Sequence, residues 1–269
     1  MIFYSMSTFE FEPIGFIRSS VRYTQEAPRQ GVLTAQSGVI QLEKQRNFEA
    51  ALADLEGVEM IWIIFVFDRV RNWKPKVRPP LGGMERKIGV FATRSPHRPN
   101  PIGITAAKLT AVRGLTLHVE GIDLLDGTPV LDIKPYIPMA DSFPDAKTGW
   151  REEITPVSQQ LIFTPDTEAK LDFIMLNGGP DVKEFCRTQL LTRDLDARRL
   201  RLSGPDEQGR FLLAFRTWRI VFTRQESFVR VENVFSGYTQ NELVPGVEDP
   251  YKDKELHRKF IAFFFHDVP

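Results

Sequence analysis

Arg94, His97, Arg98 and Asn100 stand close together in "FATRSPHRPNPIGIT" at 91–105, interleaved with Pro96, Pro99 and Pro101. A guanidinium offers a planar fork of donors that suits a carboxylate or a phosphate. Each proline fixes φ and removes a backbone donor, and it pushes the residue before it towards extended geometry. The stretch therefore reads as a stiff loop between strands, and such a loop loses less entropy on taking a ligand. A proline-rich surface turn with incidental arginines is the plainer reading of the same residues.

Three further stretches bear on chemistry. "APRQG" at 27–31 places the donors Arg29 and Gln30 in a short polar turn, or is simply a loop. "FDRVRNWKPKVRPP" at 67–80 gathers Arg69, Arg71, Lys74, Lys76 and Arg78 around Trp73. Cations meet phosphates and an indole stacks on bases, but a solvated basic loop has the same composition. "DLLDGTPVLDIKPY" at 123–136 carries Asp123, Asp126 and Asp132 beside a tight turn. A carboxylate there can accept from an amine or a ribose, or hold the turn.

Other chemistries lack their residues. There is no G-x-G-x-x-G after a strand, no P-loop and no G-x-S-x-G elbow. No His/Cys cluster has zinc spacing, so no metal is expected. The four histidines are scattered. His118 falls in a strand pattern and reads as structural, and His257 and His266 in the tail read as solvent-facing. Cys186 is the sole cysteine, so no intramolecular disulfide forms. It sits in a helical pattern as a small buried hydrophobe, which suits a reducing, cytoplasmic setting. The longest apolar run, 60–67, is too short to span a bilayer. No basic n-region precedes the first apolar residues, so no signal peptide is expected, and Met6 is a candidate start. Lys plus Arg and Asp plus Glu both number 35, which excludes a strong global field for nucleic acid and leaves local patches.

The elements that would position these residues fall into two parts. The 269 residues suffice for one large domain or two ordinary ones. Residues 8–150 read as mainly β. "FEFEPIGFIRS" alternates, "GVIQL" is short and strand-like, and "NFEAALADL" at 47–55 is a helix. "EMIWIIFVF" is apolar throughout, as in a strand covered on both faces. "KIGVFATRS", "IGITAAKLTAV" and "LTLHVEGIDLL" follow as strands. "DG" at 126–127 predicts a hairpin, with "TPVLDIKPYIP" as its returning strand. Many short strands separated by turns predict a closed or nearly closed barrel. A polar linker follows residue 140. Residues 151–269 read as a small α+β domain: a strand at "VSQQLIFT", helices at "PDTEAKLDFIML" and "PDVKEFCRTQLL", then paired strands over 210–234.

Taken together, "PRQG", "VRPP" followed by "GG", "GVFATRSPHRPNPIGIT" and "DLLDGTPVLDIKPY" resemble, in order and spacing, the TrmO (TsaA-like, YaeB-like) family over residues 9–150. That resemblance implies an S-adenosylmethionine-dependent tRNA methyltransferase. Its substrate would be N6 of threonylcarbamoyladenosine, 3′ of the anticodon of threonine tRNA. It also implies a β-barrel methyltransferase core without a Rossmann sheet, and a homodimer with the cofactor near its interface. Carried over by motif, the cofactor contacts are Pro28, Arg29, Gln30, Arg94, Ile104, Asp126, Gly127, Thr128 and Pro129. Asp68 and Arg69 stand where the family often has a His-Gln-like pair, and His97 where it often has an aromatic. The C-terminal "RDLDARRLRL" lacks the family's "DPRP" run.

On that reading Asp126, or Tyr136, accepts the proton that N6 sheds. Arg98, with Asn100, faces the substrate, and Arg94 or Arg98 binds its threonyl carboxylate. Arg71, Trp73, Lys74, Lys76 and Arg78 meet tRNA, together with arginines of 187–224 in a C-terminal docking domain. Two other functions fit the same residues: a non-catalytic RNA-binding module, and a methyltransferase of another substrate.

Overall fold

A computed structural model describes residues 8–28, 31, 34–79, 86–153, 159–191 and 201–265. Of these, residues up to Pro79 and Arg86–Ala146 form one compact unit and those from Lys147 another. The first unit holds β1 (Gly15–Ser19), β2 (Ser37–Leu42), α1 (Phe48–Ala51), β3 (Met60–Val66), β4 (Lys76–Val77), β5 (Ile88–Gly89), β6 (Ile102–Arg113), β7 (Thr116–Glu120), β8 (Pro129–Pro135) and α2 (Pro138–Asp141). Six strands close into an antiparallel barrel in the order β1-β2-β7-β6-β3-β8. The expected barrel is therefore present and closed.

Side-chain alternation fills its interior. Ile17, Ile40, Ile61, Ile63, Leu117, Val119 and Val130 are all inside. In β3 the inward set is Ile61, Ile63 and Phe65, while Met60, Trp62, Ile64 and Val66 face outward and are only half-buried. That strand is thus covered on one face rather than two, because a barrel has one interior and its outer wall needs no second layer.

Several other local expectations give way to barrel closure. Residues 9–12 are not strand, and Phe9 and Phe11 are exposed; the first strand begins after Pro13. The helix expected over 47–55 is a single turn, with Leu52 and Leu55 packed against the barrel core. "KIGVFATRS" keeps only the short β5 and a 3-10 turn at Val90–Ala92. Asp126–Gly127 does not make a hairpin. β7 pairs with β2 and β6, whereas β8 pairs with β1 and β3. The hairpin lies instead between β6 and β7, at Gly114 with φ +56°.

The second unit holds β9 (Gln160–Phe163), α3 (Pro165–Leu176), α4 (Val182–Leu190), β10 (Leu202–Ser203), β11 (Arg210–Phe215), β12 (Trp218–Arg224), β13 (Phe228–Ser236) and α5 (Lys254–Phe264). Its sheet runs β10-β11-β12-β13-β9, with β9 parallel to β13. Thr164 caps α3 ahead of Pro165 at its first turn, and Asp181 caps α4. Val182, Phe185, Cys186 and Leu190 are buried, as their spacing predicts. Burial pushes the Cys186 thiol far above its ordinary range, so it is inert.

His257 is a correction. It is fully buried, not solvent-facing. Its ring stacks on Trp218 at 3.8 Å, and its two nitrogens meet Thr217 Oγ1 at 2.9 Å and Ser236 Oγ at 2.7 Å. α5 turns its Leu256, His257 and Phe260 face into the core, and the hydroxyls make a buried imidazole tolerable. His266 lies outside the described residues.

Candidate active site

Antiparallel closure sorts the loops between the barrel's two ends. At one end, β1 leads to β2 through residues 20–36, β3 to β6 through 67–101, and β7 to β8 through 121–128. The stretches singled out for chemistry in the first unit, save Asp132 and Tyr136 farther along the chain from the 121–128 turn, lie in these three connections or just inside the strands that leave them. The order of motifs along the chain thus becomes one mouth in space.

The mouth is tied together by specific bonds. Asp126 N donates to Val21 O at 2.7 Å, and Gly127 N to Ile17 O at 2.8 Å. Ser19 N donates to Asp126 Oδ1 at 3.2 Å, and Ser19 Oγ to Leu124 O at 3.0 Å. Gly127 has φ +80°, a backbone state that glycine adopts without steric cost. Arg69 bridges two loops: Nη1 donates to Arg22 O at 2.6 Å and Nη2 to Asp126 O at 2.8 Å. Its neighbour Asp68 is exposed. Gly31 presses against Gly121 so closely that a Cβ on it would lie 2.1 Å from Gly121 O.

The two basic stretches run side by side. Phe67 N donates to Pro101 O at 2.8 Å, Lys74 N to His97 O at 3.1 Å and Val90 N to Pro75 O at 3.0 Å. His97 Nδ1 donates to Asn72 O at 3.1 Å, which gives that ring a structural task. Arg98 is turned back on its own loop. Its Nη1 donates to Val90 O at 3.2 Å and Thr93 O at 2.8 Å, and the guanidinium lies over Phe91. Part of the fork expected to face substrate therefore holds the loop. Asn100 is exposed, and its carbonyl accepts from Ile102 N at 2.7 Å.

Arg94 is exposed. Among the described residues it makes no hydrogen bond or ion pair, although its charge acts on Asp123. Ile104 points outward from β6, and Pro28 and Thr128 are buried at the rim. Gly127 and Pro129 flank Thr128. Arg29 and Gln30 lie outside the described residues. Arg71, Trp73, Lys74, Lys76 and Arg78 are all exposed, Trp73 to 54%.

Tyr136 stands apart. Its N–H donates to Met60 O, and its ring lies 5.3 Å from that of Trp62, at the far end of the barrel. β8 has 7 residues, which puts roughly 23 Å of strand between Tyr136 and the Asp126 turn. Within one chain these two candidate acceptors do not share a site. Several described arginines of the C-terminal stretch are engaged locally: Arg187 pairs with Glu184, Arg210 with Asp206, Arg219 donates to Trp218 O, and Arg224 donates to Gln159, while Arg201 is exposed.

Asp123 was not assigned a role by its motif. Among the described residues its Oδ1 is buried without a hydrogen-bond partner. Burial pushes its carboxyl above the ordinary carboxylate value, against a Thr105 hydrogen bond, the Arg94 charge and the backbone of Gly31, which favour the ionised form. The sequence signal is an acid wedged between the core aliphatics Ile122 and Leu124 in "GIDLL".

A profile of the tRNA-methyltransferase O N-terminal domain matches residues 16–142. The tRNA (adenine(37)-N6)-methyltransferase of Escherichia coli (strain K12) is 40% identical over 173 residues, which are 62% of this chain and 74% of that protein. A putative S-adenosylmethionine-dependent methyltransferase, RcsF, of Pseudomonas aeruginosa is 46% identical over 145 residues, 53% of this chain and 63% of that protein. The crystal structure of TrmO from Pseudomonas aeruginosa superposes with a TM-score of 0.64 at 29% identity, covering 86% of this chain and 99% of that one.

Proposed function

The chain belongs to the TrmO family of S-adenosylmethionine-dependent tRNA (adenine-N6)-methyltransferases, and from that premise we propose that its substrate is threonylcarbamoyladenosine beside the anticodon of threonine tRNA. The observation that carries this reading is the gathering of the motif loops at one barrel mouth, locked by Arg69.

The residues at the mouth fit the cofactor. Arg94 offers an unoccupied cation, Asp123 an orphaned oxygen, Ile104 an apolar face, and the 126–129 turn a close backbone edge. Pro28, Arg29, Gln30 and Asp68 complete the proposed binding set, with Arg69 holding the loops. When bound, S-adenosylmethionine supplies a methyl group already activated on a sulfonium. What the protein must add is chiefly alignment, and a pre-tied mouth supplies it without reorganisation.

The acceptor nitrogen is weakly nucleophilic because its lone pair is delocalised into the ring and the carbamoyl group. As the methyl's bond to the departing thioether sulfur gives way to the new N–CH3 bond, N6 sheds its proton to Asp126. Ser19 N–H occupies Oδ1 and leaves Oδ2 for that task. Tyr136 is not assigned this role, since it lies at the other end of β8. The substrate's threonyl carboxylate meets the donors of Arg98 not spent on its loop, with Asn100 at the rim. Arg71, Trp73, Lys74, Lys76 and Arg78 supply the tRNA contact beside the mouth, and the C-terminal unit is an accessory for docking.

We read the working form as a homodimer. Phe91, Ile102 and Ile104 are exposed apolar side chains in and just after the 67–101 connection, with Phe91 77% and Ile104 50% accessible. A second copy would cover them. A cytoplasmic location agrees with the tRNA substrate and the single thiol.

The test is transfer of label from S-adenosylmethionine to bulk tRNA, in parallel with tRNA from cells unable to make threonylcarbamoyladenosine. Label in the modified tRNA alone is the expected result. Equal labelling of both would remove the threonylcarbamoyl requirement, and labelling of neither by folded protein would overturn the substrate assignment.

A further inference from the structure

Asp123 sits where the mouth's three connections converge. Thr105 and Gly31 contact its carboxylate, and Gly31 directly follows Gln30 of the proposed cofactor site in the chain. Gly31 and Thr105 are themselves neighbours: a Cβ on Gly31 would lie 3.3 Å from Thr105 Oγ1. Arg94 acts on Asp123 electrostatically, yet the two close no ion pair. Opposite charges thus act on each other without closing a contact, and among the described residues one carboxylate oxygen is buried with no donor. Proteins seldom leave such an atom unanswered, so its donor is expected to arrive with a ligand.

A cation and an anion held apart in this way complement an α-amino acid zwitterion. We propose that Asp123 and Arg94 recognise the methionine moiety of S-adenosylmethionine, Asp123 Oδ1 accepting from the α-ammonium while the Arg94 fork takes the α-carboxylate. This rests on the cofactor site assigned above. It gives Asp123 a contact that the motif resemblance did not provide, and it accounts for an acid kept at the edge of an apolar core. The threonyl group of the substrate has a carboxylate but no ammonium, so the pair also separates cofactor from substrate.

The test is calorimetric binding to the full-length chain of three ligands: S-adenosylmethionine, its decarboxylated form, and 5′-methylthioadenosine, which lacks the amino-acid portion. Asp123→Asn should weaken binding of S-adenosylmethionine and of the decarboxylated form about 10- to 100-fold, with methylthioadenosine changed less than about twofold. Arg94→Gln should weaken S-adenosylmethionine and spare the decarboxylated form. The ligand-free Asp123→Asn chain should melt no lower than the parent, because a desolvated charge has been removed. Unchanged S-adenosylmethionine affinity in Asp123→Asn would overturn the proposal, and so would equal losses for S-adenosylmethionine and methylthioadenosine.

Should that variant fail to fold, the parent protein carries the test alone. Its affinity for S-adenosylmethionine, not for methylthioadenosine, should fall on acidification, beginning above the ordinary carboxylate range. Arg94, Thr105 and Gly31 are the groups that act on the titrating carboxylate. A flat profile for both ligands would sink the proposal. If the parent binds neither ligand, the cofactor site itself is misplaced. If the parent binds both and Asp123→Asn makes no difference, only the role of Asp123 falls.

Discussion

Gly31→Ala tests whether the mouth works as one pre-tied assembly. A Cβ there would sit 2.1 Å from Gly121 O and 3.1 Å from Gly121 C, where real Cβ atoms stay beyond 3.0 Å, so one backbone must give by about 0.9 Å. Both contacts are main-chain, and no flexible side chain can swing aside. Overpacking of this kind costs about 1–3 kcal/mol, which at this chain length lowers the melting temperature by roughly 2–10 °C. The catalytic cost is larger in relative terms. A displacement of about 1 Å at a positioning loop lowers turnover on the order of a hundredfold. Gly114→Ala, in the β6–β7 hairpin at the other end of the barrel, is the matched control. Nothing lies within 4 Å of its Cβ, but its φ is +56°, so it loses stability through backbone strain without a clash. The assay pairs thermal unfolding with methyl transfer at saturating cofactor. Gly31→Ala turnover within about threefold of the parent, or a Gly114→Ala loss equal to that of Gly31→Ala, would refute the argument that the Gly31–Gly121 contact sets the geometry.

Three other outcomes are expected. Arg69→Ala removes two bonds from an exposed side chain, so it should cost about 1 kcal/mol or less in stability; cofactor affinity measured by calorimetry should fall by clearly more than that, because the 20–36 and 121–128 loops lose their tie. Lys74→Ala with Lys76→Ala should weaken tRNA binding uniformly across sequences and reduce the slope of log affinity against log salt by about 1.5, read by filter binding at several ionic strengths. Asp253→Ala should destabilise the C-terminal unit in pH-dependent melting. Burial acts to raise the Asp253 carboxyl, but bonds from His257, Thr217 and Tyr238 outweigh it and hold it below the ordinary value. A lowered folded value stabilises above the ordinary carboxylate range, and that stabilisation is lost as pH falls through the folded value, so parent and variant should converge in strong acid.

The legible part of this fold was periodic or punctuated. The apolar strand runs of β3 and β6, the Pro165 helix start and the Val182–Leu190 face all express local chemistry that the chain carries wherever it folds. What stayed hidden depended on partners distant in sequence. The Asp126–Gly127 pair has hairpin chemistry, but closure gives β8 to β1 and β3, so the turn crosses the mouth instead. His257 reads as polar tail until Thr217 and Ser236 arrive to bond it. The motif loops were legible as candidates because their residue types are unusual together. Whether a guanidinium faces outward was not, and Arg94 and Arg98, four positions apart, do opposite things. The isolation of Tyr136 follows from strand direction alone, which no spacing of residues conveys.

The closing seam of the barrel has a consequence for synthesis. Gly15 pairs with Val130, so the first strand waits for the last, and β3 takes its second neighbour from the same late strand. Until β8 has left the ribosome, β1 and β3 each present an unpaired ladder of backbone groups, the kind of edge that recruits other chains. Pairing across so long a stretch of sequence is slow, because the intervening chain must be ordered before the contact stabilises it. The nascent enzyme is therefore most exposed to misassociation in the interval just before it becomes whole, and a chaperone that shields open sheet edges would act on it in that window.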